Sequence, residues 1–125
     1  MAQRSELDVG RVICSLRELE EGGCRGFTLG TGEWPLHGLV LRVAGQVRGF
    51  VNRCPHAGHP LNLRPHRFFT ADGLLILCNS HGALFERATG YCVAGPCAGQ
   101  SLEALPLTVE GDFILLAQDY PLPEP

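Results

Sequence analysis

Two short stretches constrain this chain more than any others, Cys54-Pro55-His56 and Cys78-Asn79-Ser80-His81. The first has the form C-x-H and the second C-x-x-H, with 21 residues between His56 and Cys78. Each offers one thiol and one imidazole, so together they supply two soft sulfur ligands and two nitrogen ligands. Small residues follow both pairs, Ala57-Gly58 and Gly82-Ala83. Each stretch therefore reads as a tight loop ending a strand, and two such loops can clamp one small inorganic centre from two sides.

The rest of the composition says where such a centre would sit. A chain of 125 residues is expected to form one domain, spanning 1–125, with no room for a second catalytic domain. Hydrophobic content of 45% with 18% charged residues fits a soluble globular chain. No apolar run reaches membrane-spanning length, and the first ten residues lack the apolar core of a secretion signal. The expected compartment is the cytoplasm, where cysteine serves more often as a metal ligand or free thiol than as half of a disulfide. Sixteen Gly and nine Pro spread along the chain imply many turns and an all-β build. All ten basic residues are Arg, and the net charge is −3. No acidic residue falls between Glu33 and Asp72, yet Arg42, Arg48, Arg53, Arg64 and Arg67 do. These are either solvated side chains or a basic rim that steers an acidic partner. Net negative charge and the lack of an aromatic-basic motif argue against nucleic acid.

Turn signals divide the chain into short strands. Residues 1–8 read as a loose arm and Arg11–Cys14 as a strand. Ser15 then caps a brief helical turn over Leu16–Glu20, with Glu18 three residues on. Arg25–Leu29 follows, and then Gly38–Val43 and Val47–Asn52 as a hairpin across Ala44-Gly45-Gln46 that leads to Cys54. A second hairpin joins Arg67–Thr70 to Leu74–Leu77 across Ala71-Asp72-Gly73. Leu74-Leu75-Ile76-Leu77 is apolar on both faces and is expected as a buried strand carrying Cys78. Leu84–Glu86 and Tyr91–Val93 flank Ala88-Thr89-Gly90. Leu105–Val109 and Phe113–Ala117 flank Glu110-Gly111-Asp112, and Pro121, Pro123 and Pro125 end the chain in an extended tail. Such spacing predicts a sandwich or barrel of antiparallel sheets. Trp34 and the Phe residues are expected in core or edge packing, Cys14 and Cys24 as small core residues, and Cys92 and Cys97 as packing rather than a disulfide.

On its two mixed Cys–His pairs, the chain resembles the Rieske ferredoxin family from about Arg11 to about Gln118. The resemblance implies an all-β, Rieske-like antiparallel sandwich or barrel with an inserted cluster-binding subdomain, here about 53–97. It implies one [2Fe–2S] cluster, with Cys54 and Cys78 on one iron and His56 and His81 on the other. His59 then sits at the cluster rim, and Ala94-Gly95-Pro96 looks like the third loop that covers the cluster. Tetrahedral zinc is the rival for two Cys and two His, but such sites usually pair Cys with Cys and His with His. High-potential members carry a third Cys in each loop, where this chain has His59 and Ser80, and a Ser and a Tyr where it has Ala83 and Phe85. The chain therefore looks like the soluble, low-potential branch, in the lower part of the roughly −150 to +300 mV Rieske range. The implied role is a one-electron carrier between a reductase and an oxygenase or other redox enzyme, without a substrate site, monomeric or weakly oligomeric. The alternative is a small electron-input subunit of a larger reductase of the nitrite reductase type.

Overall fold

In a computed structural model the described residues are 9–55 and 58–122. Residues 1–8, His56 and the tail prolines Pro123 and Pro125 fall outside them. Ten strands occur in order: β1 Val12–Ser15, β2 Cys24–Leu29, β3 Leu36–Val43, β4 Gln46–Val51, β5 Leu75–Leu77, β6 Leu84–Glu86, β7 Cys92–Ala94, β8 Ala104–Leu105, β9 Leu107–Glu110 and β10 Phe113–Leu116. They form three antiparallel sheets, ordered β1-β10-β9, β2-β3-β4-β8 and β5-β6-β7. The expected all-β architecture is present, and no α-helix occurs among the described residues.

Strand β3 explains the layering. Leu39, Val40 and Leu41 are all inaccessible to solvent. Successive side chains point to opposite faces of a strand. Leu39 and Leu41 join one core with Phe50, Phe68, Ile76, Phe85, Cys54 and Cys78, which lies between the four-stranded sheet and the small β5-β6-β7 sheet. Val40 joins Cys14, Leu19 and Ile114 on the other face, towards the β1-β10-β9 sheet. The central sheet is thus buried on both sides, and the small sheet rests on one of its faces.

Local chemistry sets the boundaries. The β3–β4 hairpin turns at Ala44 and Gly45, both at positive φ (56° and 74°). The two-residue, left-handed turn matches the twist of the flanking strands. Alanine is tolerated there because both turn N–H groups donate to the Glu21 carboxylate, at 2.6 and 2.9 Å. Ser15 N–H donates to the Glu18 carboxylate at 2.8 Å, as its spacing predicts, although the turn it opens is a 3₁₀ turn over Leu16–Glu18.

Four expectations need correction. The Arg67–Thr70 arm is not a laddered strand but a single bridge, Phe69 to Ile76. Of Leu74–Leu77 only Ile76 is fully buried, and Leu74 is exposed, because one face of the three-residue sheet meets solvent. The run Leu105–Val109 is two strands: Ala104–Leu105 pairs with β4 and Leu107–Glu110 with β10. Pro106 separates them, lacking the N–H a continuing ladder would need. Trp34 is 82% exposed and packs in no core.

Candidate metal centre

The two ligand stretches share one backbone frame. In the first, Cys54 N–H donates to His59 O and Gly58 N–H donates back to Cys54 O, both at 2.8 Å. In the second, Cys78 N–H donates to Ala83 O and Gly82 N–H to Cys78 O, both at 2.9 Å. Gly58 and Gly82 have φ of 75° and 77°. That left-handed geometry strains any residue with a Cβ, which is why glycine follows each pair. The same frame recurs between β6 and β7, where Glu86 N–H donates to Tyr91 O and Gly90 N–H to Glu86 O. The sites are therefore built from an ordinary hairpin closure with ligating residues placed in it.

The loops are held differently. The second joins β5 to β6, so the strand ladder closes it. The first has no such ladder. There the Asn52 side chain accepts from Leu61 N–H at 2.8 Å and donates to Asn62 Oδ1 at 2.9 Å, clamping the loop's two ends. Asn79 N–H donates to Leu61 O at 2.9 Å and so couples the second loop to the end of the first. Sequence reasoning missed Asn52. Its only signal is a lone amide two residues before Cys54, with a second amide at Asn62.

Cys54 and Cys78 are both buried, while His81 is exposed. Burial pushes the Cys78 thiol up, the Cys54 sulfur beside it pushes further, and main-chain N–H groups of Ser80 and His81 pull the other way. Two neighbouring sulfurs with N–H donors already at one of them suit thiolates neutralised by a cationic core. The donor set at the described positions therefore fits an iron–sulfur centre. Among the described residues no three His, Cys, Asp or Glu side chains converge tightly enough to hold a metal ion alone. His56, expected as a ligand, lies outside the described residues.

The remaining candidates separate by position. His59 is exposed, with its carbonyl closing the first loop. His66, at φ 62°, accepts from Gly26 N–H through Nδ1 at 3.1 Å. His37 hydrogen-bonds Thr28 at 3.1 Å. Cys14 is buried, whereas Cys24 is only half-buried. Cys92 and Cys97 are buried free thiols. Arg42 donates to Leu16 O and Leu19 O, and Arg48 to Ala88 O, so both serve the fold. Arg53, Arg64 and Arg67 are exposed, and Arg53 shares a groove with Trp34, Gly58, Glu103 and Tyr120.

The sequence matches the family model for the Rieske [2Fe-2S] domain over residues 11–117. No curated protein matches it significantly. Among solved structures, the ferredoxin of carbazole 1,9a-dioxygenase from Nocardioides aromaticivorans IC177 is 28% identical, with a TM-score of 0.63, covering 85% of this chain and 94% of its own. The ferredoxin of Sphingomonas yanoikuyae B1 is 25% identical, with a TM-score of 0.62 and coverages of 86% and 96%. The terminal oxygenase of carbazole 1,9a-dioxygenase from Novosphingobium sp. KA1 shares the fold at 22% identity and a TM-score of 0.68. Its match covers 84% of this chain but only 28% of the oxygenase. The chain thus spans nearly the whole of the ferredoxins but only a fraction of the terminal oxygenase. It belongs to the Rieske [2Fe-2S] domain family, as an electron-transfer protein with one [2Fe–2S] cluster.

Proposed function

We propose that this chain is a single-domain carrier, 1–125, that takes one electron from a reductase and passes it to a terminal oxygenase. Cys54 and Cys78 would hold one iron and His56 and His81 the other, within a subdomain of about 53–97. The observation that supports the reading is the shared loop frame, with Cys54 and Cys78 buried in one core and His81 exposed in the second loop. The bound cluster supplies a one-electron donor and acceptor, with histidines on one iron raising its potential above that of four-Cys ferredoxins. The chain's own residues do the rest. Gly58 and Gly82 let both loops close, Asn52 and Asn79 fix their spacing, and burial keeps water from the sulfurs. The exposed His81 is where a partner would approach, and exposed Arg53, Arg64 and Arg67 would steer an acidic one.

The name of the Nocardioides ferredoxin favours an oxygenase as acceptor. Among the described residues no helix is long and apolar enough to cross a membrane. From its cysteine usage we further propose a cytoplasmic location, and a monomer or weak oligomer. The test is stopped-flow mixing of the chemically reduced protein with an oxidised dioxygenase-type terminal oxygenase. Rapid, saturable reoxidation is expected. A colourless protein with one zinc and no acid-labile sulfide would overturn the cluster assignment. Stoichiometric co-purification with a larger reductase would favour the input-subunit role instead.

A further inference from the structure

Two cysteines outside the ligand set meet at the base of the third loop. Cys92 and Cys97 are fully buried, and neither is part of a disulfide. The Cys97 thiol donates to Cys92 Sγ at 3.3 Å, and the Cys92 thiol donates to Ala94 O at 3.1 Å. Main-chain bonds close the loop around them. Cys92 N–H donates to Gln100 O at 2.8 Å, Gly99 N–H to Cys92 O at 3.1 Å and Gln100 N–H to Cys97 O at 2.9 Å. Cys92 belongs to β7, whereas Cys97 lies in a strandless stretch between two left-handed glycines, Gly95 (φ 102°) and Gly99 (φ 92°). Its neighbours Gly95, Pro96, Ala98 and Gly99 are all exposed. The same stretch rests on the second ligand loop, where a Cβ built on Gly95 would stand 2.7 Å from Ala83 Cα.

We propose that Cys92 and Cys97 are a redox-modification site, at which a small-molecule disulfide such as oxidised glutathione converts the two thiols into a disulfide that staples the third loop. Their 3.3 Å separation exceeds the bonded one of about 2.05 Å by little more than an ångström, which rotation about the two Cα–Cβ bonds can supply. With the loop closed, both thiols are buried in apolar surroundings and inert. Opening of 95–99 breaks no strand ladder and brings Cys97 to solvent first. The Cys97 thiolate then attacks one sulfur of the oxidant. The oxidant's S–S bond breaks, a mixed disulfide forms, and one glutathione leaves with the proton that Cys97 gave up. Next the Cys92 sulfur attacks the Cys97 sulfur. The mixed bond breaks, the Cys92–Cys97 bond forms, and the second glutathione leaves with the Cys92 proton. Two protons and two electrons pass in all, from the dithiol to the oxidant. The second attack joins groups already in contact, so the mixed disulfide does not accumulate. The bond closes a ring over 92–97 and holds Gly95-Pro96 on Ala83. In a reducing compartment such a bond is transient and redox-sensing. The site stands apart from the proposed electron-carrier role and needs no metal.

The test poises the cluster-loaded protein in mixtures of oxidised and reduced glutathione, quenches it in acid, alkylates the remaining thiols and maps them by mass spectrometry after digestion. The peptide holding Cys92 and Cys97 should lose both alkylation sites together, weigh about 2 Da less than its dithiol form, and revert in excess reduced glutathione. Amide exchange at 95–99 should slow by about tenfold in the oxidised protein. Cys97→Ser should abolish the change, and Cys92→Ser should trap a glutathione adduct on Cys97. Cys14→Ser and Cys24→Ser should oxidise like the wild type. The wild-type map decides the bond by itself should a buried serine disturb the fold. A bond absent across the whole range, one formed only once denaturant is added, or a lasting glutathione adduct on wild-type Cys97 overturns the proposal. So does equal amide exchange in the oxidised and reduced proteins.

Discussion

The two ligand loops are the same backbone turn in different surroundings. Both run from a buried cysteine to a left-handed glycine four residues on, with matching pairs of main-chain hydrogen bonds. The second hangs from a two-strand ladder and inherits its rigidity. The first depends on one amide side chain, Asn52. Strand pairing distributes the work of holding a loop over many bonds, whereas a side-chain clamp concentrates it. A single substitution should therefore loosen the first loop more readily than the second.

The largest effect breaks the equivalence at the ligands. Replacing His81 or His56 by Ala should abolish the native cluster, because an iron losing a protein ligand opens to solvent, while His59→Ala should retain it. Iron and labile sulfide content read the outcome. A folded His59→Ala protein without cluster, beside a loaded His56→Ala protein, would reassign the first loop.

Asn52→Ala tests the clamp. It leaves Leu61 N–H without its acceptor, at a cost of about 1–3 kcal/mol. Cluster loss at elevated temperature should speed up, and amide exchange should rise at residues 58–62 before 79–83. Equal exchange in the two loops would show that the clamp is shared, through Asn79 and Leu61.

Smaller still is the strain of Gly82→Ala. No atom lies within 4 Å of the added Cβ, so only the left-handed backbone opposes it, at about 1–2 kcal/mol. Gly58→Ala should cost about the same, since its nearest neighbour is the flexible Arg53 side chain at 4.0 Å. Denaturant midpoints of the two variants should agree, and a large gap between them would refute the common frame.

The smallest effect concerns the turn that feeds the second loop. The Thr70 hydroxyl and the Leu74 N–H hold Asp72 below the ordinary aspartate value of 3.8. A lowered carboxylate contributes stability that is present above the unfolded value and is lost as pH falls through the folded one. The gap in thermal midpoint between wild type and Asp72→Asn should be full at pH 7 and shrink below about pH 3.8. A gap that widens with acid would reverse the sign.

Glycine punctuation made most of the hairpins legible in the sequence, because positive φ is a local demand that residue type alone answers. The Cys–His spacing revealed the candidate site for the same reason. What escaped was tertiary. Nothing in Leu74–Leu77 tells that the sheet it joins is three residues long and open to water on one side. Pro106 did announce the break between β8 and β9, since it lacks a ladder donor, but the apolar run around it masked the signal. Asn52 escaped because its partners, Leu61 and Asn62, become neighbours only once the loop has closed. Cys97 reads as packing, and only the folded chain shows its thiol donating to Cys92 Sγ.

Trp34 gives the protein its own optical reporter. It is the single tryptophan of the chain, 82% exposed, in the groove that also holds Arg53 and Gly58 of the first loop region. Its indole emission starts from a water-exposed environment. A partner covering that groove would remove water from the ring and move the emission to shorter wavelength, so docking beside the first loop can be followed by fluorescence without a label.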